Sequence, residues 1–175
     1  MTPSETSGPR AGAPTATTPT STLIKTARGD LDHHHPQLIL LRTPALGEAA
    51  RAVAEIEAAL TAYRFNDAAN AAYRFTWNVF CDWYLELAKP ILQGEGADPA
   101  ARAETQATVA FLIDQVAKVL HPFMPFLTEE LWAIKGEGIE ERGLLALAPW
   151  PDLAGLADPA AEAEVGYVVD LIGQI

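Results

Sequence analysis

One cysteine, Cys81, stands among 175 residues, so no intramolecular disulfide can form and a reducing compartment fits. Basic side chains are scarce: 12 Lys and Arg face 23 Asp and Glu, a formal net charge of −11. Lys and Arg supply most of the affinity for a phosphate backbone, so this balance argues against a nucleic-acid binder that works by charge alone. No apolar run approaches the roughly 20 residues of a membrane-spanning helix, and the first residues lack the apolar core of a secretory signal. Residues 1–28 hold much Ser and Thr and one acid, Glu5, as transit peptides do, but four prolines spoil an amphipathic helix there. The chain has no Walker loop, no Gly-x-Gly-x-x-Gly after a strand and no Ser/His/Asp arrangement.

What is present is apolar and helical in period. Apolar residues make up 49 % of the chain, enough for the core of one domain. Residues 1 to about 30 are Thr, Ser, Pro, Ala and Gly, which cannot offset their ordering entropy. Residues 1–45 therefore read as a disordered or irregular segment, and 46–175 as a helical bundle. Thr43-Pro44 looks like a cap with proline at the first helical position. Leu46, Ala49, Val53, Ile56, Leu60 and Tyr63 then form the stripe of a first helix.

The stretch from Phe65 to Pro90 is the centre of the pattern. Asn66 or Asp67 can cap its start. Ala69, Ala72, Thr76, Val79, Trp83 and Leu87 recur at three- and four-residue steps, with Tyr73, Phe80 and Tyr84 widening the stripe. Pro90 marks its end or a kink. Asp98-Pro99 opens a third helix with Ala103, Ala107, Ala110, Ile113, Ala117 and Leu120 in phase, ending before Pro122. A short helix is expected from about Phe126 to Ile134, then an extended run from Leu144 to Trp150. Asp158-Pro159 opens a last helix carrying Ala161, Val165, Val168, Ile172 and Ile175. The fold class is all-α: an antiparallel bundle of four to five helices joined by short loops.

Few residues suggest chemistry. His33, His34 and His35 could hold a metal, but adjacent residues do not easily share one coordination sphere, and a solvated tail is the favoured reading. Cys81 lies between Phe80 and Asp82, with no base or cation to activate it, and reads as a core thiol. Glu129 and Glu130 point about 100° apart on a helix and suit the first-turn dipole better than acid–base work. Core packing is favoured for Phe80 and Trp83. Phe75 and Trp77 fall off the stripe centre near Arg74 and Asn78, the composition of a single-strand stacking site. A second packing face is the competing reading.

Two stretches carry a resemblance. Tyr-Arg-Phe-Asn-Asp-Ala-Ala-Asn-Ala-Ala-Tyr-Arg-Phe-Thr-Trp-Asn-Val-Phe-Cys-Asp-Trp-Tyr-Leu-Glu-Leu-Ala-Lys-Pro, from Tyr63, resembles the anticodon-binding domain of valyl-tRNA synthetases. So does His-Pro-Phe-Met-Pro-Phe-Leu-Thr-Glu-Glu-Leu-Trp, from His121, and Leu-Ala-Pro-Trp-Pro, from Leu147, fits the same domain. The second stretch is shared loosely with isoleucyl and leucyl relatives; Cys81 to Glu86 points to the valyl branch. The resemblance covers about Gly47 to Ile175.

It implies a cytoplasmic helical bundle that grips the anticodon arm of valine tRNA. In the full enzyme a separate catalytic domain activates valine with ATP and Mg²⁺; its motifs have no counterpart here, and the resemblance implies no cofactor for this chain itself. The chain reads as a detached or truncated fragment, a monomer or weak homodimer that binds no membrane. Arg64, Arg74, Trp77, Asn78 and Lys89 are the expected RNA contacts, chosen because they flank the central helix off its core stripe. Four of the 12 basic residues and three of the 23 acids precede Leu46, so the bundle carries eight cations against twenty anions, −12. At most weak, salt-sensitive RNA binding is expected. A non-catalytic interaction module or gene remnant that has lost RNA binding is the alternative.

Overall fold

A computed structural model describes residues 36–136 and 142–156, and residues 159, 160, 162, 163, 166, 167 and 171 of the last stretch. The histidines 33–35 and the stripe residues Ala161, Val165, Val168, Ile172 and Ile175 lie outside the described residues. The described elements are all helical. They are α1 (Pro36–Thr61), α2 (Phe65–Tyr73), a π-helical segment (Arg74–Leu85), α3 (Glu86–Gln93), α4 (Pro99–Leu120), α5 (Pro125–Lys135) and a 3₁₀ turn (Leu145–Leu147).

The first helix starts earlier than its cap signal. It begins at Pro36, itself a residue suited to a first turn, and runs 26 residues with Pro44 inside it. The expected irregular stretch up to residue 45 is therefore helical from Pro36, and Thr43-Pro44 is not its entry. Leu46, Ala49, Val53 and Ile56 are buried as the periodicity requires, while Tyr63 is not.

From Phe65 to Gln93 the chain is one continuous helical rod, α2, the π segment and α3 in succession. Neither Asn66 nor Asp67 caps it; Arg64 occupies the cap position without a side-chain bond. Pro90 sits inside α3 instead of ending it. The rod also turns a different face inward from the one that a uniform α period selects. Ala68, Ala71, Ala72, Phe75, Phe80, Tyr84 and Ala88 are buried, and Leu87 is exposed. The step from Phe75 to Phe80 is five residues, which suits the i→i+5 register of a π-helix. That extra residue shifts the phase and brings Phe75, expected off the stripe, into the core.

Helix α4 is capped as its sequence predicts: Asp98 Oδ2 accepts the Ala101 N–H at 3.0 Å, and Pro99 follows. Its inward face is again displaced. Thr105, Thr108, Phe111, Leu112, Gln115 and Val119 are buried, whereas Ala103 and Ile113 are exposed. Polar residues can lie inward because each bonds its own backbone. Thr105 Oγ1 donates to Ala101 O at 2.9 Å, Thr108 Oγ1 to Glu104 O at 3.0 Å and Gln115 Nε2 to Phe111 O at 3.2 Å.

The helix directions follow from the contacts. Arg42, near the start of α1, forms a buried ion pair with Glu104, near the start of α4. The rod runs antiparallel to α1, its Arg74 meeting Glu55 and its Tyr84 lying by Arg42, and α4 turns back along the rod after a short loop, so α1 and α4 run parallel. Helix α5 folds back along α4, its Lys135 reaching Asp114 and the Ala110 carbonyl. The α1–α2 turn and the α4–α5 turn consequently share one end of the bundle. The segment expected to be extended from Leu144 to Trp150 contains the 3₁₀ turn. The last helix returns to α1, where the Glu162 carboxylate lies against Gly47 and 3.5 Å from the Arg51 guanidinium.

Candidate nucleic-acid interface

The rod carries one ring stack inside and one outside. Inward, Phe80 and Tyr84 stack with centroids 6.0 Å apart and planes at 22°. Outward, Tyr73 and Trp77 stack at 6.4 Å with planes at 8°. Residues four apart on a helix are surface neighbours, so the outer pair needs no support from another element. Tyr73 is 59 % and Trp77 54 % exposed. Tyr73 was expected to widen the core stripe; the π register that draws Phe75 inward leaves Tyr73 outward. The signal for it was the four-residue Tyr73–Trp77 spacing.

Beside this pair, Arg74 Nη2 donates to Glu55 Oε1 of α1 at 2.6 Å, and Asn78 is exposed. Arg74, Trp77 and Asn78 are thus brought together. Arg64 and Lys89 are not part of the same cluster. They stand 25 positions apart along the rod, roughly 35 Å at about 1.5 Å per residue. Arg64 pairs with Asp67 at 3.3 Å and Lys89 with Glu86. All three cations of the expected site therefore face a carboxylate of this chain. Such exposed pairs are worth only about 0–1 kcal/mol, so a phosphate can take the carboxylate's place.

The rest of the resembling residues build structure around α5. His121 Nδ1 lies 2.8 Å from Thr128 Oγ1, which also reaches the Met124 carbonyl at 2.9 Å. With the hydroxyl donating to that carbonyl, His121 Nδ1–H is the donor to Thr128. Glu129 does not converge with Glu130. Its carboxylate accepts the backbone N–H of Leu145 at 2.8 Å and of Ala146 at 3.3 Å, anchoring the 3₁₀ turn. Trp132 is buried and donates Nε1–H to the Gly143 carbonyl at 3.2 Å.

Around Trp132 lie Arg142, Lys118 and Lys135 with a single described carboxylate, Asp114, which takes ion pairs from Lys135 and Arg142. Burial lowers the pKa of both lysines, Asp114 opposes that shift and Arg142 adds to it. Burial raises the pKa of Cys81, and Asp82 raises it further, so the half-buried thiol is not activated. Among the described residues no three His, Cys, Asp or Glu gather as metal ligands.

The described helices thus present an outward ring stack with a flanking arginine. Among known families, the sequence profile of the anticodon-binding domain of tRNA ligase matches residues 44–175. The chain belongs to this family. Its relatives include the valine--tRNA ligase of Caulobacter vibrioides, 54 % identical over 131 residues covering 74 % of this chain and 14 % of that protein. The valine--tRNA ligase of Mesorhizobium japonicum is 53 % identical, with 74 % and 14 % covered. That of Rhodopseudomonas palustris is 48 % identical over 161 residues, with 73 % and 16 % covered. The chain thus spans about one-seventh of the length of these relatives.

Proposed function

We propose that this bundle binds the anticodon arm of valine tRNA in the cytoplasm and serves valyl-tRNA formation only together with a catalytic part. The observation that carries this reading is the exposed Tyr73–Trp77 stack beside Arg74 and Asn78, on a chain whose relatives are valine--tRNA ligases. In this reading ATP and Mg²⁺ belong to that catalytic part. The protein acts as a monomer or weak homodimer in this reading, and the approach of Glu162 to Arg51 of α1 favours the monomer.

The binding is driven by rings more than by charge. Each base–aromatic stack contributes about 1–3 kcal/mol, and each phosphate contact adds about one unit or less to the salt slope. The test is titration of the full chain with an RNA hairpin carrying the valine anticodon arm, at several salt concentrations. Trp77→Ala should weaken binding at every salt concentration, and Arg74→Ala should flatten the salt slope. Equal affinity for unrelated hairpins, or no binding at all, overturns the reading in favour of a bundle that serves as a protein-interaction module.

A further inference from the structure

Where α1, the rod and the last helix meet, they leave a cavity of about 150 Å³. An apolar cavity of roughly that volume takes up one benzene ring. Leu41 of α1 and Val79 and Leu87 of the rod give it aliphatic walls, and Trp83 adds a ring. Gly166 of the last helix also borders it. That glycine is exposed, and a Cβ on it would meet nothing within 4 Å. The cavity therefore opens to solvent where the last helix has no side chain. Among the described residues, the polar side chains of the wall are Glu48, Glu162 and Tyr84, and the Tyr84 phenol is bonded to Thr108.

The Glu162 carboxylate is the second observation. Its side chain is only 13 % exposed, and Oε1 is buried without a hydrogen-bond partner among the described residues. A buried carboxylate oxygen left unpaired is costly. Oε2 faces Arg51 at 3.5 Å, and the same arginine pairs with Glu48. Two carboxylates thus share one cation, and that cation is mostly exposed. The three groups together leave one negative charge beside an apolar hole. Water fills such a hole poorly, because an ordered water needs several polar partners. The Leu, Val and Trp walls offer almost none.

We propose that this cavity is a binding site for a small primary amine, its apolar body between Leu41, Val79 and Leu87 and its ammonium on Glu162. Charge complementarity selects that class of ligand. The ammonium supplies the donor that Glu162 Oε1 lacks and balances the carboxylate that Arg51 leaves in excess. The Trp83 ring in the wall favours a cation further. An anion is repelled, and an apolar molecule without a donor leaves Oε1 unpaired. The site uses neither the Tyr73–Trp77 stack nor Arg74, so it stands apart from the RNA-binding reading. Because the amine touches all three elements, its binding holds the last helix on α1.

The test titrates the full chain calorimetrically at neutral pH with benzylammonium, beside benzyl alcohol and benzoate as its neutral and anionic counterparts. Benzylammonium should bind saturably, one per chain, and raise the melting temperature. It should bind about tenfold or more tighter than benzyl alcohol, the range for a hydrogen bond to a charged group. Benzoate should not bind. Glu162→Gln keeps the side chain's shape and should raise the Kd of benzylammonium about tenfold or more, erasing the preference over the alcohol. Gly166→Leu closes the mouth from the solvent side and should abolish binding while the melting temperature holds. If wild type binds no amine saturably, the proposal is wrong. If benzyl alcohol matches benzylammonium, or Glu162→Gln binds the amine as wild type does, the cavity selects no cation and the proposal is equally overturned. Should Glu162→Gln fail to fold, Gly166→Leu decides alone: undiminished amine binding there places the ligand elsewhere and refutes the site.

Discussion

The guanidinium carbon of Arg142 lies 3.6 Å from the ring centroid of Trp132, close enough for a stacked cation–π contact. Lys118 Nζ stands 6.0 Å from the same ring, and Asp114 accepts from both Arg142 and Lys135. This cluster ties α4, α5 and the chain after it into one unit. It has more positive charge than its one described carboxylate balances, and burial makes that imbalance costly.

Asp114→Asn should therefore destabilise the bundle by about 3 kcal/mol, because Lys135 and Arg142 lose their shared anion. Trp132→Ala should cost about 3–5 kcal/mol through the cavity and the lost cation contact. Lys118→Met should be neutral or stabilising at neutral pH, since burial already disfavours its charge. Urea denaturation of the three variants checks the order. Marked destabilisation by Lys118→Met, matching that of Asp114→Asn, would show that the lysine is needed as a cation and would refute this account.

Arg42 and Glu104 should behave as a buried pair. Their side chains are 5 % and 16 % exposed, and Arg42 Nε is buried without a partner. Removing Arg42 takes this ion pair from a Glu104 carboxylate that is only 16 % exposed, so Arg42→Ala should lose about 3–5 kcal/mol. The double variant Arg42→Met, Glu104→Leu should recover most of that loss, because an apolar pair needs no desolvation of charge. Additive losses in the double-mutant cycle are the result that contradicts the coupling.

The alkaline limb of stability should belong to Tyr84. Burial pushes its phenol well above the ordinary 10.0; Thr108 and Arg42 oppose that shift and Glu104 adds to it. The native state keeps the proton where the unfolded chain releases it. Stability is thus intact below pH 10 and falls as pH rises beyond it. Lys118 and Lys135 act with the opposite sign: their lowered values mean that the native state binds fewer protons, so stability rises as pH climbs toward their ordinary 10.5. Denaturant titrations across this range should show a decline above pH 10 that Tyr84→Phe removes, at a cost of about 1 kcal/mol at neutral pH for the lost hydroxyl bond. An undiminished decline in Tyr84→Phe would assign the limb to other groups.

Much of the fold was legible because it rests on local signals. Asp98-Pro99 starts α4, and Leu46 to Ile56 face inward at their expected spacing. The failures have physical causes. Pro36 and Pro44 both satisfy a first-turn signal, and only packing against α4 through Arg42 decides that the helix includes both. The rod carries large rings on more than one side, so period alone cannot choose its inner face; the π register does, exchanging the expected places of Phe75 and Tyr73. In α4, Thr105, Thr108 and Gln115 look like surface residues until their bonds to their own backbone are seen. For the candidate site, Arg64, Arg74, Trp77, Asn78 and Lys89 were all chosen by helical phase, and Arg74, Trp77 and Asn78 lie together on the rod. Arg64 and Lys89 lie toward its two ends, because phase selects a face of a helix and not a position along it.

The contact between Gly47 and Glu162 provides a direct test of how the last helix lies on α1. Gly47 is buried in the middle of α1, and a Cβ there would meet the Glu162 carboxylate. Glycine inside a helix costs about 1 kcal/mol relative to alanine. The space it leaves is taken by Glu162, whose Oε1 is buried without a hydrogen-bond partner while Oε2 faces Arg51 at 3.5 Å. Gly47→Ala alone should therefore be close to neutral, the gain in helix propensity offset by displacing the carboxylate. Glu162→Ala alone should also change little, since it removes both an unpaired buried oxygen and a weak pair with an exposed arginine. Together the two substitutions should stabilise the chain by about 1 kcal/mol, with the added methyl filling the vacated space. Thermal unfolding of the four proteins in this cycle measures the coupling. If Gly47→Ala gains the full increment with Glu162 still in place, the carboxylate does not rest on Gly47, and the last helix does not return to α1 in the way described.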